Sequence, residues 1–177
     1  MSKCRQCKKS FTPTRPLQRV CSMECAIVDT RAKRTEAQRK ENRIRRERIK
    51  TTTELASEAQ TAFNRYIRVR DSHRVCISCG QPASLGQRHA SHYRSRAAAS
   101  QLRFNTYNVH ASCAQCNSSK SGNIVEYRKA LIHRIGQDRV EWLENNHDKV
   151  KWDADYLRRL KRVFAKRARH TERLRAR

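Results

Sequence analysis

The apolar residues Leu55, Ala59, Ala62, Phe63 and Tyr66 recur at helical spacing, which predicts an amphipathic helix with one face to bury. The residues before it follow no such pattern. The stretch 29–70 lacks Gly and Pro and reads as one or two helices, yet within 31–50 only Ile44 and Ile49 stand out as apolar. Further on, Tyr127, Leu131 and Ile135 recur at intervals of four, with Gly136 placed to stop that helix. Val140 and Leu143 start another short helix, and a last one from about Asp153 shows Leu157, Leu160 and Phe164 on one side. Near the N-terminus, the two prolines of Thr12-Pro13-Thr14-Arg15-Pro16 predict a rigid, non-helical connection.

Apolar residues make up 37% of the 177 and aromatic residues 6%, so a hydrophobic core can form locally but cannot run through the whole chain. Charge points to the partner. The 41 Lys and Arg outnumber the 16 Asp and Glu to give a formal net charge of +25, which calls for a polyanion, nucleic acid in the first place. An anionic membrane surface is the weaker alternative, because no apolar run approaches spanning length. No apolar segment follows Met1, so no secretory signal is read and a cytoplasmic setting with reduced thiols is expected. The excess is concentrated at 31–50, with ten basic residues against three acids, and at 158–177, with ten against one. The first is expected to be a DNA-docking arm using Arg43, Arg45, Arg46 and Arg48. The second is expected to be a phosphate-contacting or disordered extension rather than a packed element.

Eight cysteines supply what the core lacks. Cys4 and Cys7 are followed by Cys21 and Cys25, and Cys76 and Cys79 by Cys113 and Cys116. Two close pairs of thiolates can close a tetrahedral shell on one zinc ion, and such a site contributes folding free energy. Two structural zinc sites are therefore expected. Disulfides compete with this in principle, but not in a reducing compartment.

Beside the second quartet lie HASHYRSR (89–96) and NVHASCAQCNSSKSGN (108–123). The order, a CxxC pair, a His on a predicted short strand, an Asn, then CxxCN, resembles the zinc-containing HNH (ββα-metal) nucleases. That resemblance implies a β-hairpin and helix cradling one catalytic cation, magnesium or manganese, apart from the structural zinc. By position His92 matches the general base, whose ordinary pKa near 6.5 suits neutral pH. Asn108 matches the residue that orients the base, and Asn117 the one offering an oxygen to the cation. Ser91 stands where many members carry an acidic ligand. His89 is the candidate replacement, although on a regular strand it points away from His92 and needs a bulge or turn to reach the cation. A His ligand would favour manganese, nickel or zinc. His110 is a further candidate ligand, with a surface histidine as the competing interpretation. Arg94 and Arg96 are candidates to clamp the scissile phosphate, and Lys120 to contact DNA.

The resemblance extends further. CRQCKKSFTPTRPLQRVCSMECAI, LRFNTYNVHASCAQCNSSKSGNIVEYRKALI and IGQDRVEWLE together resemble the NinG (Rap) recombination proteins of lambdoid phages, over most of the chain. This implies a structure-specific endonuclease acting on branched DNA such as Holliday junctions and D-loops. Cutting two opposed strands of a junction favours a homodimer. A non-catalytic zinc-finger DNA-binding protein is the alternative, and an RNA-binding basic protein a more distant one. The expected fold is small α+β: a Cys4 zinc knuckle (1–28), a basic helical arm (29–72), a zinc-containing ββα core (73–136) and a basic helical C-terminal extension (137–177).

Overall fold

The structure, a computed structural model, describes residues 1–82, 86–148 and 150–176. Its helices and hairpins fall into two compact units, residues 1–50 and 51–177. The protein is mostly helical with two short antiparallel hairpins, rather than an even mixture of helix and sheet.

In the first unit, β1 (Ser2–Lys3) pairs with β2 (Ser10–Phe11). Between them Lys8 takes a left-handed conformation (φ 62°), so that its N–H reaches Cys4 O while Cys4 N–H reaches Lys9 O. The resulting turn carries Cys4 and Cys7. Ser22 then caps α1 (Met23–Arg48): its hydroxyl accepts from Cys25 N–H, which sets the last cysteine of the quartet in the first helical turn. The rest of α1 buries no side chain, as the missing apolar stripe predicts.

The second unit opens with a reciprocal cap. The Thr51 hydroxyl accepts from Glu54 N–H, and the Glu54 carboxylate accepts from Thr51 N–H, starting α2 (Thr52–Arg70). Its buried ridge of Leu55, Ala59, Phe63 and Ile67 meets α5 (Ala154–Arg175), which buries Leu157, Phe164 and Ala168. Phe164 packs edge-on against Phe63, with ring centroids 4.8 Å apart. Residues 158–176 are therefore a packed element, not the loose extension that their charge implies. The apolar positions recur once or twice per heptad beneath a surface of arginines, and Arg65 forms a two-pronged pair with Glu172 across the two helices. Arg177 lies outside the described residues.

Between these helices in sequence, β3 (Arg88–His92) and β4 (Val109–Cys113) form a hairpin joined by a segment with one 3₁₀ turn (Ser100–Leu102). The register is regular, from Arg88 opposite Cys113 to His92 opposite Val109. Val109 joins the α2–α5 core, so the hairpin is held on α2. All five residues of β4 are buried. A single π-helical turn (Gln115–Ser119) and three left-handed residues, Ser121, Gly122 and Asn123, then redirect the chain into α3 (Ile124–Ile135). Gly136, with φ 86°, ends α3 and allows α4 (Gln137–Asn145) to fold back. Tyr127 and Leu131 of α3, Val140 and Leu143 of α4, and Ile77, Tyr93 and Leu102 make a second core. Among the described residues no helix is long and apolar enough to cross a membrane.

Candidate functional site

Each cysteine quartet gathers into one cluster, with the four sulfurs within 4.8 Å of one another. Cys7 Sγ lies 3.5 Å from Cys21 Sγ, Cys21 Sγ 3.7 Å from Cys25 Sγ, and Cys79 Sγ 3.8 Å from Cys113 Sγ. Disulfide bonding is excluded at such distances, and all eight thiols are free. A tetrahedral shell with Zn–S bonds of about 2.3 Å has edges of about 3.8 Å, so both clusters fit a zinc ion. Backbone N–H groups are already aimed at the sulfurs: Cys21 N at Cys4, Cys113 N at Cys76 and Cys116 N at Cys113. N–H bonding, foremost from the backbone at Cys7, brings the Cys4 thiol down to about 6. Burial raises Cys76, but backbone donors at Cys113 and Cys79 outweigh it and bring it down to about 7. In the same clusters Cys21 is pushed up to about 12, chiefly by its contact with Cys7, and burial raises Cys116. Cys4 and Cys76 thus ionise more easily while Cys21 and Cys116 resist, and a central cation is what would let all four sulfurs of a quartet bind as thiolates together.

The second cluster adjoins a polar cavity of about 300 Å³ lined by His89, His92, Arg96 and Asn117 together with Gln60, Asn64, Arg68 and Arg88. His92, the last residue of β3, brings its Nε2 to 3.0 Å from Arg103 O. A carbonyl can only accept, so Nε2 carries the proton and Nδ1 keeps the lone pair. Burial is the main reason that the His92 pKa lies below its ordinary value; the charges of Arg96 and Arg103 act in the same direction, against the hydrogen bond to Arg103 O. The imidazole is thus neutral at pH 7 and held in one tautomer.

Asn108 is fully buried directly behind this segment. Its Oδ1 accepts from Arg94 N–H at 2.8 Å, and its Nδ2 donates to Arg94 O at 3.0 Å and Leu102 O at 3.2 Å. Its own backbone carbonyl takes Tyr93 N–H. One side chain therefore fastens the chain just after His92 to the loop before β4.

His89 also lines the cavity, although β3 contains no bulge. The Asn117 amide nitrogen lies 3.5 Å from His89 Nδ1. With the amide turned over, its oxygen occupies that place, and one cation with bonds of about 2.1 Å could bridge the pair. No carboxylate is among the described residues lining the cavity, which offers only neutral and cationic side-chain groups. Ser91 is buried away from it, its carbonyl accepting from Tyr127 OH.

The remaining candidates divide. Arg96 lines the cavity. Arg94 does not: its guanidinium donates to the carbonyls of Leu143 and Glu144 at the end of α4. Lys120 is exposed beyond the π-helical turn, and Arg43, Arg45, Arg46 and Arg48 are exposed on α1. His110 is not a surface histidine but is 4% exposed, against Asp71, Arg70 and Arg134. Burial lowers its pKa in spite of the hydrogen bond with Asp71. The reason is that β4 is covered on both faces, so its alternation carries no surface signal.

Sequence reasoning missed what α2 contributes. Gln60, 6% exposed, accepts from Arg103 Nε at 2.8 Å and donates to Asn64 Oδ1 at 2.7 Å, thereby fixing the residue whose carbonyl holds His92. A signal was present: Gln60 interrupts the ridge of Ala56, Phe63 and Ile67, where a polar residue needs a reason.

Comparison with known proteins places these features in a family. A family model described as Bacteriophage Lambda NinG protein matches residues 1–174. The chain is 37% identical to protein ninG of Escherichia phage lambda, over 90% of this chain and 86% of that protein. It is 37% identical to protein ninG of Escherichia phage 933W, over 92% and 89% of the two chains, and 36% identical to that of Salmonella phage P22, over 90% and 87%. No solved structure matches.

Proposed function

The chain belongs to the NinG family of phage proteins, and from that premise we propose that its second unit is an HNH-type endonuclease that hydrolyses DNA phosphodiester bonds with a divalent cation. The observation that carries the proposal is the His92 imidazole, tied through Nε2 to Arg103 O and neutral in a polar cavity that His89 and Asn117 also line. A histidine serving only the core has no need of such surroundings. A non-catalytic zinc-binding protein would leave this arrangement without a purpose.

His92 is the general base: its unprotonated Nδ1 takes the proton of the attacking water. Gln60 and Arg103 fix the ring, and Asn108 fixes the backbone that follows it. Arg68, Arg88 and Arg96 make the cavity attractive to phosphate, and the Arg88 Nε–H is buried with no partner among the described residues. His89 and Asn117 are the residues that would hold the catalytic cation. When bound, such a cation supplies charge neutralisation at the scissile phosphate and its leaving oxygen. Branched DNA, such as four-way junctions and D-loops, is the substrate class that the family resemblance implies, and the exposed basic side chains of α1 suit it.

The test is cleavage of a labelled four-way junction with magnesium or manganese. Replacing His92 by Ala should slow cutting by about 10² to 10⁴-fold with little change in binding. Because burial lowers the His92 pKa, the wild-type rate should rise with pH below 6.5 and level off by neutrality. A variant that cuts at the wild-type rate, or a rate that falls over that range, would remove His92 from the role.

A further inference from the structure

A separate groove of about 500 Å³ runs between the 104–107 segment and α5, lined there by Tyr156, Arg159, Leu160, Val163 and Arg167. These α5 residues form a ridge at i, i+3, i+4, i+7 and i+11, beside the buried ridge of Leu157, Phe164 and Ala168. The ridge is unusual for an exposed helix flank because it alternates aromatic, aliphatic and cationic groups without an acid. None of the residues lining the groove is a carboxylate, and Arg159 and Arg167 have no ion-pair partner among the described residues.

Two aromatic rings reach the surface here. Phe104 packs edge-on against Trp152, and Trp152 stacks on Tyr156 with centroids 5.3 Å apart and planes 19° apart, so a stack rooted in the core ends at a ring 43% exposed. Tyr107 is 44% exposed, with the Arg139 guanidinium 5.0 Å from its ring centroid. Thr106 and Tyr107 also border an adjoining cleft of about 240 Å³, where Arg70, Arg74 and Arg134 face a single acid, Asp71.

Flat rings that end in solvent, spaced between guanidinium groups with no carboxylate partner among the described residues, match the alternation of base and phosphate in a nucleic acid whose bases are unstacked. Duplex DNA presents no free base face. We propose that this groove binds an unpaired stretch of DNA, with bases stacked on Tyr156 and Tyr107 and phosphates on Arg139, Arg159 and Arg167. The inference rests on the preceding section only in taking DNA as the partner; it does not depend on catalysis.

The test uses the full-length, zinc-loaded protein without added magnesium or manganese. Fluorescein-labelled oligothymidylate, an abasic oligomer of equal length and a duplex are the probes, read by anisotropy. Wild type should bind oligothymidylate about a hundredfold more tightly than the abasic chain, since base–aromatic stacking is worth about tenfold per base and two bases are stacked. Replacing Tyr156 and Tyr107 by Ala should abolish that preference while leaving duplex affinity within about twofold. Arg159→Gln with Arg167→Gln, both at exposed positions, should weaken both single-stranded probes together and so covers the case in which the tyrosine variant does not fold. Equal wild-type affinity for oligothymidylate and the abasic chain would overturn the proposal, as would a preference that survives in the folded tyrosine variant. Base-dependent binding by a protein that cuts no DNA would instead sustain the groove and refute the nuclease.

Discussion

Asn108 offers the most direct test of how the candidate base is supported. Replacing it with Ala removes three hydrogen bonds from the interior. Leu102 O retains a second donor, Asn105 N–H, but no other partner is found for Arg94 N–H or Arg94 O among the described residues. Each group that loses its partner costs about 1–3 kcal/mol, so Asn108→Ala should destabilise the second unit by about 3–4 kcal/mol. Typical domains have about 5–15 kcal/mol in all, so the unit should remain folded at 25 °C. Asn108→Asp probes the same site by charge. One carboxyl oxygen can still accept from Arg94 N–H, while the other faces two carbonyl oxygens and is tolerated only when protonated. The pKa of this Asp in the folded state is thus raised above its unfolded value of about 3.9. Its stability should match wild type most closely below that value and fall behind as pH rises through the folded pKa. Urea unfolding in fixed excess zinc, followed by tryptophan fluorescence and expressed as the difference from wild type at each pH, gives both quantities. An Asn108→Ala protein within about 0.5 kcal/mol of wild type, or an Asp deficit independent of pH, would refute the reasoning.

Phe164→Ala should cost about 3–5 kcal/mol, because the ring is buried between Phe63 and Tyr66; a melting temperature unchanged from wild type would restore the loose-extension picture. Metal analysis should find two zinc ions per chain, one per quartet, and Cys116→Ser should lose one of them together with the fold of the hairpin; disulfides by mass spectrometry would contradict both. Changing Arg43, Arg45, Arg46 and Arg48 to Gln should weaken binding to all duplex sequences alike and flatten the salt dependence by about 0.9 in log–log slope for each phosphate that the variant no longer neutralises. An unchanged slope would make α1 a solvated helix.

Helix period, the quartets and the stops were legible because each rests on local chemistry. The ridge of α2, the break at Gly136 and the start near Asp153 are found where the pattern places them. What escaped depends on which face another element covers. The charge of residues 158–176 hid an apolar ridge that has meaning only against α2. His110 looked exposed because alternation is uninformative in a strand buried on both sides. Gln60 and Arg103 stand 43 positions apart in sequence and meet only in the fold. His89 lines the cavity beside His92, although alternation along β3 sets positions 89 and 92 on opposite faces.

The hairpin register has a further implication. Cys113 closes β4 and is at once a cluster sulfur and the partner of Arg88, while His92 is fixed at the opposite end by the same ladder. Since side chains alternate along a strand, a slip of a single residue would carry His92 to the other face. Intermediate positions do not exist in such a ladder. Zinc starvation should therefore not yield a population of partly impaired molecules. It should divide the chains into two classes, those with His89, His92 and Asn117 assembled around one cavity and those without, and bulk behaviour should track their ratio.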